Sequence, residues 1–344
     1  MAEPIAVVVC APLIGRDLTP IRALEPRIRL IDGNDAFDAY NQSLRQGDKD
    51  AIAAKRRELD ALLAQAEVLC LSIPVLREMV TQAPKLRWLH HTQAGVSNLW
   101  ATDVWAAENI VLTSGRGHVR PTAMAEYAIA GALTFARGIH DAYLDKPNGR
   151  LDRSHYAPVR IEGSTMGIVG LGGIGSEVAR LAKALGIRVI ATKRTTDGDA
   201  PNVDVLLPPS GVKQLAAESD FIVLCPQLTQ DTLKLIDADV FAVMKPTAVL
   251  VNVSRGEVID EDAMFEALRS GRLKGAVVDV YDGELDGKPP RPELFTLPNA
   301  VLTPHISTGG TVNDTRLMDL FVENLRRYLD GQELLNVVDR ARGY

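Results

Sequence analysis

The sequence predicts an α/β protein of two doubly wound parallel-sheet domains, and three observations carry that reading. The chain has 344 residues, more than one ordinary hydrophobic core accommodates. Short apolar runs alternate with helix-periodic stretches along almost all of it, the pattern of parallel strands joined by crossover helices. The most regular part opens on a glycine-rich turn set between a strand-like run and a helix-like run. From this alternation we place one domain at residues 117–308, inserted into a second made of 1–116 and 309–344.

In order along the chain, strand-like runs cover residues 6–9, 68–71 and 86–90, and an amphipathic helix fills 50–66 between the first two. Pro121 suits the start of a helix, and the Ala-rich apolar stretch 123–136 continues it. Residues 141–160 are polar and hold Pro147, Gly149 and Pro158, which reads as an extended arm or linker. Beyond Ser164 the alternation becomes regular. Strand 166–170 leads into helix 176–185 and strand 188–192. Strands at 221–225, 249–252, 276–280 and 300–302 follow, with a helix at 261–270 among their crossovers. A helix over 313–330 ends the pattern.

Composition narrows the class. The chain is 46% hydrophobic and 24% charged, with a net charge of −6, values of an ordinary soluble globular protein. No Lys/Arg stripe suggests nucleic acid. The first apolar run is short and lacks a positive leader, so it reads as a strand rather than a signal peptide. No run approaches the roughly 18 apolar residues of a membrane span. Cys10, Cys70 and Cys225 each lie in an apolar run, as buried thiols of a reducing, cytoplasmic compartment do. No His/Cys/Asp spacing suggests a metal.

The sharpest motif is Gly170-Leu171-Gly172-Gly173-Ile174-Gly175, a G-x-G-x-x-G that follows a strand-like run and opens a helix, as a Rossmann dinucleotide site requires. The first glycine allows the tight turn, the second admits the pyrophosphate to the backbone, and the third lets helix and strand pack closely. The end of the next strand selects the nucleotide. An NAD-selective site puts Asp or Glu there to bond the ribose 2′-hydroxyl. Here stand Lys193 and Arg194, then Thr195 and Thr196. Two cations and two hydroxyls suit a 2′-phosphate, and a carboxylate would repel one. The expected cofactor is therefore NADP(H), with NAD(H) second.

Polar groups also follow three later strands: Asn252-Val253-Ser254-Arg255-Gly256, then Asp279 with Asp282-Gly283-Glu284, then Thr303-Pro304-His305. In doubly wound sheets ligands bind beyond the carboxyl ends of the strands. With the glycine loop and Cys225-Pro226-Gln227-Leu228-Thr229, these segments occur in the order found in the D-isomer-specific 2-hydroxyacid dehydrogenases, which the chain resembles from about residue 86 to 335. The resemblance implies a Rossmann-type nucleotide-binding domain inserted into a flavodoxin-like substrate domain, and a homodimer built around the nucleotide-binding domains. It implies Arg255 as the group that grips the substrate carboxylate and polarises the keto oxygen. His305 would be the general acid of reduction, and Glu284 the partner that orients its imidazole. Asp279 would bond the nicotinamide carboxamide, Pro226 and Val253 would line the cofactor, and the backbone of Ala94, Gly95 and Val96 would bind the substrate carboxylate. Glu284 is followed by Leu285 where the family usually has Pro, so Asp282 is the nearest alternative partner for His305.

The remaining histidines, His90, His91, His118, His140 and His155, read as satisfied core or loop residues, and Trp88 as core. Trp100, just past the carboxylate loop, divides evenly between core and pocket edge. The apolar, small residues near 71–74 and 94–100 suit an unphosphorylated acid. The expected activity is hydride transfer between NADP(H) and a small 2-oxo acid or D-2-hydroxy acid, glyoxylate or hydroxypyruvate first. A bulkier 2-oxo acid, or a non-catalytic relative that senses the dinucleotide, are the alternatives.

Overall fold

The computed structural model describes residues 3–118, 121–150, 152–309 and 315–343. The chain divides into two compact units, one of Met1–Val119 with Val312–Tyr344 and one of Arg120–Thr311.

The first unit is built on β1 (Ile5–Cys10), β2 (Ile28–Asp32), β3 (Val68–Leu71), β4 (Trp88–His91) and β5 (Val111–Ser114). All pair in parallel, in the order β2-β1-β3-β4-β5, the flavodoxin-like arrangement. Both faces are covered, so successive residues enter different cores. Val8, Cys10, Leu69, Leu71 and Leu89 join one cluster. Val7, Val9, Val68, Cys70 and Trp88 join the other. Helices Asn34–Gln46 and Lys49–Leu63 belong to this unit; Asp48 caps the second by accepting from the amides of Asp50 and Ala51.

The end of the chain returns to the same sheet. Helix Arg316–Leu329 buries Leu317, Met318, Phe321, Val322 and Leu325 at the i, i+1, i+4 spacing of one helical face. Phe321 and Tyr328 stand against Trp88, each with ring centroids 5.5 Å away. The tail then runs beside β5, where the Ser114 amide donates to Asn336 O and the Val338 amide to Leu112 O. The helix expected over 313–330 is thus present, residues 313 and 314 lying outside the described set.

The second unit holds β6 (Thr165–Val169), β7 (Arg188–Thr192), β8 (Val205–Leu207), β9 (Phe221–Leu224), β10 (Val249–Asn252), β11 (Gly275–Val278) and β12 (Ala300–Leu302). Their order is β12-β11-β10-β9-β6-β7-β8, again all parallel. From β8 inward this is the Rossmann order, with one further strand at the other edge. Helix Pro121–Ala136 crosses this sheet so closely that a Cβ on Gly131 would stand 3.2 Å from Val277.

Three strands were not anticipated: β2, β5 and β8. The polar stretch 141–160 is also less extended than expected. It begins in helix Ile139–Asp145 and contains two single 3₁₀ turns. Pro147 stops nothing there, because it sits in the first turn of a 3₁₀ segment, where its missing amide is not needed. Among the described residues no helix is long and apolar enough to cross a membrane.

All three tryptophans lie in the first unit, so fluorescence follows that unit alone. Phe321→Ala should lower the stability of its unfolding transition by about 3–5 kcal/mol, read by tryptophan emission in denaturant. A loss below about 1 kcal/mol would mean that the C-terminal helix is not a structural part of the first sheet.

Candidate active site

Because every strand of the second sheet points the same way, the loops after β6, β7, β9, β10, β11 and β12 all emerge at one edge. The glycine loop follows β6, at the centre. Gly170 has φ +93°, and a Cβ there would stand 2.9 Å from the backbone of Pro226, which follows β9. Gly175 packs as tightly, since its Cβ would stand 2.2 Å from Gly170 O. Gly172 differs: a Cβ on it would meet nothing within 4 Å. It is the N-cap of helix Gly173–Ala184 and brings no side chain to cap it, so the helix opens with uncapped N–H groups beside free space. Two glycines close the turn, and one keeps the approach to the helix clear. That arrangement fits the pyrophosphate of a dinucleotide. Ile174 packs against the core of the unit. The helix begins at Gly173 rather than the expected residue 176, the glycines forming its first turn.

The end of β7 is tied to this loop. Gly170 N donates to Thr192 Oγ1 at 3.2 Å, and Leu171 N to Thr192 O at 2.9 Å. Lys193 follows directly, its own amide bonded to Leu207 O of β8. Lys193 is half-buried and Arg194 exposed, with Thr195 and Thr196 also exposed. On the other side of β6, Val253 is buried just past β10.

The turn after β10 is organised by Asn252, which is fully buried. Its Oδ1 accepts from the amide and hydroxyl of Ser254 at 3.0 and 2.8 Å, and its Nδ2 donates to Arg255 O at 2.9 Å. Arg255 Nη1 donates to Ser254 O at 2.7 Å, while its Nε is buried with no partner. Burial lowers the guanidinium from its ordinary value, against the opposing pull of Glu257 and Glu284. A buried, unpartnered donor on a cation is a position that an anion could fill.

Beyond β11, Glu284 begins a 3₁₀ turn whose N-cap, Gly283, has φ +80°. Its Oε1 lies 2.8 Å from His305 Nδ1. The structure therefore brings Glu284, and not the exposed Asp282, to His305. Two carboxylates from the segment after β10, Glu257 in its 3₁₀ turn and Glu261 at the start of helix Glu261–Arg269, fix the Glu284 loop. Glu261 accepts from the amide of Asp282 at 3.1 Å, and Glu257 from the amide of Gly283 at 3.3 Å. Burial holds the Glu261 carboxyl above its ordinary range, partly offset by that Asp282 amide. Gly256, just before Glu257, meets the loop backbone so closely that a Cβ would stand 1.9 Å from the Tyr281 carbonyl carbon.

Asp279, fully buried at the end of β11, accepts three bonds from the turn that carries His305. Thr303 Oγ1 and the Ile306 amide bond its Oδ1 at 2.6 and 2.8 Å, and the Ser307 amide bonds Oδ2 at 2.9 Å. Tyr127, from helix Pro121–Ala136, bonds the Thr303 hydroxyl from the other side. Neither Tyr127 nor Glu257 and Glu261 carries a sequence signal of its own. Asn252, Gly256 and Thr303 stand inside the motifs, but their roles follow only from contacts.

The segment expected to bind the substrate carboxylate, Ala94 to Val96, belongs to the first unit and follows β4. Ala94 and Gly95 are half-buried, and Val96 is 1% exposed within the core. Trp88 is core, its Nε1 donating to Thr113 Oγ1 at 2.8 Å. Trp100 is half-buried, with a buried Nε1 that has no partner. His90 is fully buried, and burial lowers its pKa to about 3. His91, His118 and His140 each have a carbonyl within hydrogen-bond reach. The His155 side chain lies outside the description.

Residues 129–307 match the family of D-isomer specific 2-hydroxyacid dehydrogenases, NAD binding domain. Glyoxylate reductase of Thermococcus gammatolerans is 31% identical over 295 residues, 84% of this chain and 85% of that protein. D-3-phosphoglycerate dehydrogenase of Methanocaldococcus jannaschii is 30% identical over 85% of this chain, which spans only 54% of that longer enzyme. In fold, the chain is similar to a D-isomer specific 2-hydroxyacid dehydrogenase from Xanthobacter autotrophicus, solved with NADPH, at a TM-score of 0.77 and 24% identity over all of both chains. With the two parallel sheets and the loop edge already described, these matches establish that the chain belongs to the D-isomer-specific 2-hydroxyacid dehydrogenases, oxidoreductases that use a nicotinamide cofactor.

Proposed function

We propose that this chain is an NADP(H)-preferring reductase of small, unphosphorylated 2-oxo acids, with glyoxylate and hydroxypyruvate the leading substrates and a D-2-hydroxy acid the product. The observation that carries the proposal is the Glu284–His305 pair at 2.8 Å, at the same sheet edge as Arg255 with its unpartnered Nε. A bound nicotinamide nucleotide would supply or accept the hydride at C2. Gly170, Gly172, Gly173, Ile174 and Gly175 would hold its phosphates, Lys193 and Arg194 a 2′-phosphate, and Pro226 and Val253 its flanks. Asp279 has three donors already; a carboxylate accepts about four, which leaves one position for a carboxamide.

The protein's part follows from bonding. Glu284 takes up Nδ1 of His305, so the imidazole works through Nε2, from which it donates a proton to the keto oxygen during reduction and recovers it during oxidation. Arg255 meets the substrate carboxylate and the charge that develops on the keto oxygen. The family resemblance assigns the backbone of Ala94, Gly95 and Val96 as neutral donors to the carboxylate. Residues 71–74 and 94–100 contain no Lys or Arg, so they offer no cation for a substrate phosphate. That distinguishes the proposal from a phosphoglycerate dehydrogenase. The same reading takes the enzyme to be homodimeric, as its family resemblance implies, and cytoplasmic, as its three apolar-run thiols suggest.

Initial rates of NADPH and NADH oxidation with glyoxylate, hydroxypyruvate, pyruvate and phenylpyruvate test this directly, and NADPH with one of the first two should be the fastest pair. Absence of turnover with every acid, despite tight NADPH binding, would move the chain to the dinucleotide sensors. His305→Ala should lower kcat by about 10²–10⁴-fold while NADPH binding, followed by fluorescence, changes little; unchanged turnover would remove His305 from the reaction. Lys193→Asp with Arg194→Ala should shift the kcat/KM ratio toward NADH. A ratio that stays put would place the 2′-phosphate elsewhere.

A further inference from the structure

We infer that Tyr127 and Thr303 are positioning residues for His305: through Asp279 they fix the turn on which the imidazole is carried. The inference rests on the reaction proposed above and adds two residues to it.

Bond direction is decided by chemistry. The Thr303 hydroxyl lies 2.6 Å from Asp279 Oδ1, and a carboxylate only accepts, so the single Thr303 proton points at Asp279. Its oxygen is left to accept, and the proton in the Tyr127–Thr303 bond comes from Tyr127. The phenol must stay protonated for this chain of bonds to exist. Burial, with the nearby Asp279 carboxylate, pushes its pKa up to about 12. Tyr127 thus donates to Thr303, which donates to Asp279, in one fixed sense.

What the chain of bonds restrains is an unusual backbone. His305 has φ +53°, a region that non-glycine residues occupy at a cost and keep only where their surroundings over-determine it. The surroundings do so here. The His305 amide donates to Asp279 O and Thr303 O, both at 3.0 Å, and the Asp279 carboxylate takes the amides of Ile306 and Ser307. Asp279 therefore grips the turn on both sides of His305. Thr303 sets the orientation of that carboxylate, and Tyr127 holds Thr303 from a helix 176 residues away from it in sequence. Tyr127 has no place among the motif residues, and neither a cofactor nor a substrate is needed to explain its hydroxyl.

The test uses the full-length protein with NADPH and the best 2-oxo acid, and three variants: Tyr127→Phe, Thr303→Val and Thr303→Ser. Tyr127→Phe removes one oxygen atom and should lower kcat roughly three- to tenfold. Thr303→Val cuts the chain in the middle and should lower it by about 10²-fold, the scale of a misplaced catalytic group. Thr303→Ser keeps the hydroxyl and should stay within about threefold of the parent. In all three the Kd for 2′,5′-ADP, which lacks the nicotinamide that Asp279 would meet, should move less than about threefold, which separates positioning from general damage to the site.

A second readout is independent of turnover: the proton resonance on Nδ1 of His305, assigned by its loss in His305→Gln. It should shift in Tyr127→Phe and Thr303→Val and persist unshifted in Thr303→Ser. Parent-like kcat and an unmoved resonance in Tyr127→Phe and Thr303→Val would overturn the inference and leave the reaction standing. A parent protein without turnover would overturn the reaction instead, and the resonance alone would then decide whether the two residues hold His305.

Discussion

A parallel strand cannot turn back through a tight hairpin, so each crossover in the second sheet climbs over a face and each strand's carboxyl end opens at the same edge. Six consecutive positions across the sheet, from β7 through β6, β9, β10 and β11 to β12, deliver their loops to that edge. Residues well apart in sequence, such as Gly170 and Pro226, thereby become neighbours without any loop having to be long. The sheet supplies proximity only. Orientation has to come from bonds between one loop and the next.

The bonds are costly to assemble, which explains their character. Asp279 and Asn252 are fully buried, and a buried polar group without partners loses several kcal/mol relative to water. Each is met by donors or acceptors from its own or the adjacent loop, and hydrogen bonds to an ionised group contribute about 1.5–3 kcal/mol each. The arrangement also spreads strain. His305 bears a left-handed backbone that costs of order 1–3 kcal/mol, and the three bonds at the Asp279 carboxylate are of the size needed to offset it. Arg255 differs: its Nε remains buried and unpartnered, which the proposed function would explain by a substrate anion that completes the set.

The central strands were legible because they are buried on both faces. Val249–Asn252 and Arg188–Thr192 read as short apolar runs with clear ends, and the structure has strands at those same residues. β2 and β8 lie at sheet edges and are only partly buried, with Arg29 and Asp32 interrupting the first. Their apolar signal is diluted accordingly. The site divides in the same way. Glycines, Arg255, Glu284 and His305 could be singled out because residue type and position after a strand go together. Glu257, Glu261 and Tyr127 could not, because an exposed-looking acid or a helical tyrosine acquires meaning only from a partner brought close by the fold.

Leu285 illustrates how a local departure is absorbed. A proline after Glu284 would stiffen the loop through its own ring, and this chain lacks it. The loop is held from outside instead. Gly256 lets the turn after β10 press against the Tyr281–Asp282 peptide, and Glu257 and Glu261 take the amides of Gly283 and Asp282. Gly283 then supplies the left-handed residue that starts the 3₁₀ turn. The turn bearing Arg255 therefore also builds the support for Glu284, so the group that would bind the substrate anion and the group that orients the acid share one scaffold. A change in either turn is transmitted to the other through backbone contact rather than through side chains alone.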